Sequence, residues 1–366
     1  MNTAPTQDNA AIAPKDAAPQ HGPRPLPLFL NILMAQTRHD PVLRARALAG
    51  LRRYQEAVRP PRPTPARVHA QVGSATLSHF GSVEGDDRAP VVLIPSLINP
   101  PHVLDLSART SLIRWLVDQG HDGYLVDWGH PGAGDSMMDL GGHIAQRLVP
   151  LLQSLDPKRA PILVGYCLGG TLAIGAAASI PVAALATIAA PWQFDGFPDE
   201  TRESIAKLWA EAKPMCDRLG YVPMEVLQSG FWALDSARTI CKYADFADLA
   251  DDSEAVDAFV VVEDWANAGA PLTFAAGREL FEALYVDDVT GRAEWRVGDA
   301  AIRPADFAMP TLAISSTTDT IVPAASTPPL AEQWTLDMGH VGMIVGSRGP
   351  KRLWEPLSQW LFKHGG

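Results

Sequence analysis

The chain has 366 residues, of which 47% are hydrophobic, 19% charged and 7% aromatic. That composition supplies a large core and excludes a disordered or fibrous polypeptide. Thirty Lys and Arg against 41 Asp and Glu leave a formal net charge of -11. No basic footprint for nucleic acid or an anionic membrane surface follows from that balance.

In chain order, residues 1–26 alternate Ala, Pro and polar residues and read as a disordered tail without a secretory signal. Residues 27–84 read as an N-terminal helical region and linker, its helices ending at the Pro cluster VRPPRPTPARV. The Arg run from Arg44 to Arg67 lies at helical spacing and is expected to be a solvated face rather than an anion site. From Pro90 the pattern changes to short apolar runs alternating with amphipathic segments. APVVLIPSL, DGYLVDW, APILVGY and VAALATIAA are the strands, with helices between them. Strands apolar on both faces imply a parallel sheet covered on both sides. Residues 194–300 break the rhythm with four aromatic-rich helical segments. Strand signals return at EWRVG, MPTLAISS and EQWTLDM before a last helix. The expected fold is α/β, with a mostly parallel central sheet. Residues 85–193 and 301–366 form its core, and 194–300 form an inserted helical cap. No uninterrupted apolar run reaches the roughly 18 to 20 residues of a transmembrane helix.

Cys167, Cys216 and Cys241 are too few and too scattered for a disulfide framework, and no CxxC pair suggests zinc. An odd count fits a reducing, cytoplasmic setting. Cys167 stands apart. The strand APILVGY runs into Gly165-Tyr166-Cys167-Leu168-Gly169-Gly170, the strand–nucleophile–helix elbow with cysteine where serine is commoner. Glycines on either side of the nucleophile remove side chains that would clash at a strained turn. The amides of the following helix favour a thiolate. In this arrangement the acid and then the histidine follow later in the chain. Asp319, in the loop after MPTLAISS, is preferred to Asp337 as the acid, and His340 in Gly-His context is the base. The oxyanion hole needs backbone N–H groups, expected from Leu168 and from Ser96 or Leu97 in the loop after the first core strand. Cys216 and Cys241, in cap segments, are expected to be small buried hydrophobes.

Together, LIPSLINPPHVLDLSARTSLIRWLVDQGHDGYLVDWGHP, GYCLGGT, FVVVEDWANAG, TTDTIVP and GHVGM resemble the polyhydroxyalkanoate synthases, most of all the short two-component class III catalytic subunit. The likeness spans roughly residues 85–363. It implies an α/β-hydrolase fold and a Cys-Asp-His triad on Cys167, Asp319 and His340. It further implies transfer of 3-hydroxyacyl groups from coenzyme A thioesters to a growing polyester. Coenzyme A would be substrate; no metal or resident cofactor is implied. His102 and Trp192 are the candidates for substrate contact. A second synthase subunit, a homodimer and the polymer-granule surface are the partners the resemblance suggests. Two positions depart from the family pattern. The usual Ile-Asn-(Arg or Lys)-x-Tyr reads Ile98-Asn99-Pro100-Pro101-His102, and Ala324 stands where Trp is frequent. The competing expectation is a cysteine thioesterase, esterase or polyester depolymerase, because the same triad can activate water.

Overall fold

The computed structural model describes residues 22–81, 88–251 and 253–365. Most of the expected N-terminal tail lies outside these; its last residue, Leu26, opens the first helix. Numbered in chain order, the central sheet comprises β1 (Arg67–Val72), β2 (Ala75–His79), β3 (Val91–Ile94) and β4 (Gly123–Asp127). It continues with β5 (Ile162–Tyr166), β6 (Ala184–Ile188), β7 (Thr311–Ser316) and β8 (Glu332–Leu336). Their spatial order is β1-β2-β4-β3-β5-β6-β7-β8. β2 runs antiparallel to its neighbours and the remaining pairs are parallel.

β3, β5, β6 and β7 are buried along their whole length, as expected of parallel strands sandwiched between helices. Side chains alternate between the two faces. Val92, Ile94 and Leu163 join one core with Leu172 and Ile174. Val91, Leu93 and Val164 join the other with Ile113, Leu116 and Leu357.

Residues 67–79 correct the expected linker, for they form the first two strands. Gly73, at φ +61°, turns the hairpin and Val72 pairs with Ala75. β1 is an edge strand, largely exposed, so it carries Arg67, His69 and Gln71 and lacks the apolar run that marks a central strand.

Helices α1 (Leu26–Gln36) and α2 (Pro41–Glu56) precede the sheet. Helix α3 (Leu112–Asp118) covers one face, and α4 (Leu168–Ala177) follows β5. Between β6 and β7 come α5 (Asp199–Leu219), α6 (Met224–Leu234), α7 (Ser236–Ala247) and α8 (Glu254–Ala266). The α6–α7 junction falls at Asp235, whose carboxylate accepts the Arg238 amide at 2.9 Å and caps α7. The EWRVG signal is a two-stranded ribbon, Arg296–Val297 with Ala300–Ala301.

The Arg run is a solvated face only in part: Arg52, Arg62 and Arg67 are exposed, whereas others bind the cap. Phe29, Leu51 and Tyr54 pack with Tyr243, Phe246 and Val260 of the cap. Arg53 donates to the carbonyls of Phe246 and Leu249 at 2.8 and 2.7 Å. Arg59 pairs with Asp264 at 3.1 Å, and the Tyr54 hydroxyl donates to the same carboxylate at 2.6 Å. Sequence periodicity identifies the helices, but the partner acids and carbonyls lie about two hundred residues away. No helix among the described residues is long and apolar enough to cross a membrane.

Candidate active site

The site begins with a backbone turn. β5 ends at Tyr166 and α4 starts at Leu168, leaving Cys167 between them at φ 55°, ψ -134°. Such a conformation costs a non-glycine residue on the order of 1–3 kcal/mol and persists only where the surroundings enforce it. Here the Cys167 amide donates to Ile188 of β6 at 2.9 Å, and the Gly170 amide returns to the Cys167 carbonyl at 2.8 Å. The flanking glycines have a steric reason. A Cβ on Gly165 would lie 2.4 Å from Gly170 Cα, and one on Gly169 would lie 2.2 Å from the Ile94 carbonyl oxygen. The loop after β3 therefore presses directly on the start of α4.

Asp319 follows β7 and His340 follows β8, so the parallel sheet delivers both to the edge where Cys167 sits. Asp319 Oδ1 accepts the amides of Ile321 and Val322 at 2.8 and 2.9 Å, which orients the carboxylate. Its Oδ2 lies 2.7 Å from His340 Nδ1. That bond engages Nδ1 and leaves Nε2 for the sulfur side. The imidazole is buried and stacks on Tyr166, with ring centroids 5.1 Å apart. Burial by itself would lower the His340 pKa. Negative charge on Cys167 and the Asp319 bond outweigh it and raise it to about 10. The rival acid Asp337 instead faces Arg348 and Arg352 at an exposed site. Of the other histidines near strand ends, His130 is exposed and His143 is tied to the Asp139 carbonyl at 2.7 Å.

Two cavities meet at Cys167. The first, about 360 Å³, is bounded by Cys167, His340 and Ser96 below and by Trp232, Lys242 and Glu263 of the cap above. The second, about 70 Å³, is apolar; Cys167 and Leu168 form its floor and Phe197, Phe281 and Tyr285 its walls.

The oxyanion candidates divide. Leu168 borders the apolar cavity, and its amide, the first of α4, has no intrahelical acceptor. Ser96 borders the first cavity, its hydroxyl accepting the Ile98 amide at 3.1 Å. Leu97 lines neither; it faces a separate small cavity beside Trp128 and His143.

His102 and Trp192 are not brought to the site. His102 lies on a short 3-10 turn outside both cavities, where burial and then Arg62 depress its pKa to about 4. Trp192 is fully buried core, set edge-on to Trp295 at 5.7 Å. Neither residue lines either cavity. Cys216 is buried, which pushes its thiol up, whereas Cys241 is only partly buried.

Sequence reasoning passes over the cap's polar contribution. Glu263 is buried on α8, accepting from Lys242 at 2.6 Å and from the Tyr243 hydroxyl at 2.8 Å. Its signal is the acidic pair that interrupts the apolar run FVVVEDW. Tyr285 has no comparable signal. Of the cap aromatics, Trp209 and Phe259 are stacked into cores, against Phe281 and Phe246 respectively, while Phe231 borders both cavities. No group of three or more metal-ligating side chains occurs among the described residues.

The strand order, the strained elbow and the buried acid–histidine pair define an α/β-hydrolase fold with cysteine at the nucleophile position. Within that class the sequence resembles the polyhydroxyalkanoate synthases. It is 26% identical over 312 residues to the poly(3-hydroxyalkanoate) polymerase subunit PhaC of Haloferax mediterranei, covering 81% of this chain and 63% of that protein. The subunit of the same name from Haloarcula marismortui is 25% identical over 81% of this chain and 67% of its own. That from Synechocystis is 27% identical over 81% and 84%. The chain thus spans less than two thirds of the length of the Haloferax mediterranei relative. No protein-family model matches it. The solved structure of VinJ is similar at 17% identity and a TM-score of 0.47, over 83% of this chain and 100% of its own; the fold assignment rests on the strand order.

Proposed function

We propose that the protein is an acyltransferase of the polyhydroxyalkanoate synthase type. It takes 3-hydroxyacyl groups from coenzyme A thioesters onto Cys167 and passes them to the hydroxyl end of a growing polyester. The carrying observation is a cysteine on the strained elbow, bordering the same cavity as a histidine bonded to Asp319. A thiolate attacks thioesters readily, and the resulting enzyme thioester is one that an alcohol can discharge.

His340, oriented by Asp319, takes the Cys167 proton. The sulfur attacks the substrate carbonyl carbon, a new carbon–sulfur bond forms, and the oxyanion is held by the Leu168 amide and one from the Ser96 loop. The bond to coenzyme A breaks, and the imidazolium returns its proton to the leaving thiolate. His340 then removes the proton of a chain-end hydroxyl, whose oxygen attacks the acyl carbon. The carbon–Sγ bond breaks, leaving Cys167 as thiolate beside the protonated imidazole. No resident cofactor or metal enters; the coenzyme A thioester is the substrate and free coenzyme A is released.

Residues 194–300 act as the cap that roofs this chemistry, and α1 and α2 brace it. The relatives' names, each a polymerase subunit, support a second subunit as partner. A homodimer, a cytoplasmic location and the polymer-granule surface belong to the same proposal. The test follows thiol release and acyl fate from 3-hydroxybutyryl-coenzyme A, with and without a candidate second subunit. Polyester is expected, and Cys167→Ala is expected to abolish acyl labelling. Free hydroxyacid would instead establish a hydrolase. No thiol release under either condition, or labelling that survives Cys167→Ala, would overturn the assignment.

A further inference from the structure

The small cavity beside Cys167 is almost wholly apolar, yet one wall carries a phenol. Tyr285 belongs to the stretch Glu279–Val286, which winds with the wide π-helical repeat often found at functional positions. Its ring is held edge-on by Phe194 and Phe197, with centroids 4.8 and 5.1 Å away. The ring is therefore fixed rather than free to swing. The side chain is only partly buried, and its hydroxyl makes no hydrogen bond to any described residue, which leaves it free to donate to a ligand. Burial, then negative charge on Cys167, pushes the phenol well up, so it remains a protonated donor.

Most of the remaining wall residues, including Ile205, Leu208 and Leu227, are apolar, and Thr201 is the one other lining residue with a side-chain hydroxyl. The volume is also limiting. About 70 Å³ is half of the roughly 150 Å³ that accommodates a benzene ring. By that scale it takes about three non-hydrogen atoms beyond a carbonyl seated at the sulfur. A short acyl chain bearing one hydroxyl is close to that count, and Tyr285, which the charge on Cys167 reaches, offers that hydroxyl a donor in the wall.

We infer that this cavity is the acyl pocket and that Tyr285 is its specificity residue. The phenol donates to the 3-hydroxyl oxygen of a short 3-hydroxyacyl group bound at Cys167. The inference rests on the proposed acyl-transfer reading and adds to it which acyl groups are accepted and what selects them. A site built to hydrogen-bond a substrate hydroxyl rejects the analogue lacking it, because its own polar group is then left unpaired.

The experiment uses the full chain and measures the rate of Cys167 acylation by 3-hydroxybutyryl-, butyryl- and 3-hydroxyoctanoyl-coenzyme A. The wild-type protein is expected to favour the first over each of the others by about 10²-fold or more. In Tyr285→Phe the preference over butyryl collapses toward one, because the hydroxylated ester slows. In Phe281→Ala, which removes a wall, the octanoyl ester gains relative to the short one while the preference over butyryl persists. Thermal unfolding of both variants establishes that they are folded. Equal slowing of hydroxylated and plain esters by Tyr285→Phe would reduce Tyr285 to a packing role and overturn the inference. An unchanged preference, or none in the wild type, would do the same. In all three cases the acyl-transfer reading survives, because Cys167 is still acylated. If no ester acylates a Cys167 that iodoacetamide still alkylates, the acyl-transfer reading itself fails and the inference falls with it.

Discussion

Replacing Asp319 by Asn isolates the part played by the acid. The variant keeps the size of the side chain, and its carbonyl oxygen can still accept the amides of Ile321 and Val322 that hold Asp319 Oδ1 at 2.8 and 2.9 Å. What changes is the contact 2.7 Å from His340 Nδ1. A negative charge is removed, and the Asn NH₂ turned toward the ring demands an acceptor at Nδ1. The imidazole then carries its proton on Nε2, facing the sulfur, and cannot take another from Cys167. Two unit charges about 4 Å apart at an effective dielectric of about 20 are worth about 4 kcal/mol, equivalent to about three pKa units. His340 is held at about 10 by Cys167 and Asp319 acting against burial. Loss of the acid should therefore bring it down to about 7, with the charge on Cys167 still opposing burial. The expected result is a fall of about 10²- to 10⁴-fold in the rate of Cys167 acylation at neutral pH. The assay pairs that rate with an NMR titration of ¹³C-labelled histidine. Wild-type His340 should stay protonated well above pH 8, whereas in Asp319→Asn its titration midpoint should fall to about pH 7. An unchanged titration with unchanged acylation would refute the assigned role of Asp319.

Acid stability should depend on His121. Its ring is buried with Nε2 2.8 Å from Ser358 Oγ, and burial followed by the Arg88 charge lowers its pKa from 6.5 to about 4. A depressed histidine pKa contributes stability that is full above the unfolded value of 6.5 and lost as pH falls toward the folded value. The loss is about 2 kcal/mol at pH 5 and approaches about 3 kcal/mol below pH 4. Urea denaturation at pH 7 and pH 5 should show His121→Gln to be less acid-sensitive than wild type by about that amount; identical pH dependence would count against it. Gly50→Val tests the seat of α2 on the cap. A Cβ there would fall 1.7 Å from the Tyr243 carbonyl oxygen, so α2 and α7 must separate. A loss of about 2–4 kcal/mol in denaturant midpoint measurements is expected, and an unmoved midpoint would contradict the packing described.

The elements most readable in the sequence are those whose local chemistry is strong. β3, β5, β6 and β7 are apolar on both faces and buried throughout, so each stands out as an uninterrupted run. Gly165 and Gly169 mark the elbow because no side chain fits there. Asp319 and His340 are readable through their position after strands. A parallel sheet carries the ends of successive strands to one edge, so order along the chain becomes proximity in space. β1 escapes the same reading because an exposed edge strand needs no apolar run.

The sequence by itself determined the α/β core, the interrupted strand rhythm of the cap and the three residues that converge on the elbow. Each of these is written in short-range periodicity or in residue types with one geometric use. Only the tertiary structure decided that Arg53 and Arg59 bind the cap, that His102 and Trp192 line neither cavity, and that Cys167 stands between two cavities. Those outcomes depend on contacts between residues far apart in sequence. Tyr285, more than a hundred positions from Cys167, reaches its cavity only because the cap folds back over the sheet. No local pattern encodes which side chain meets another across such a separation.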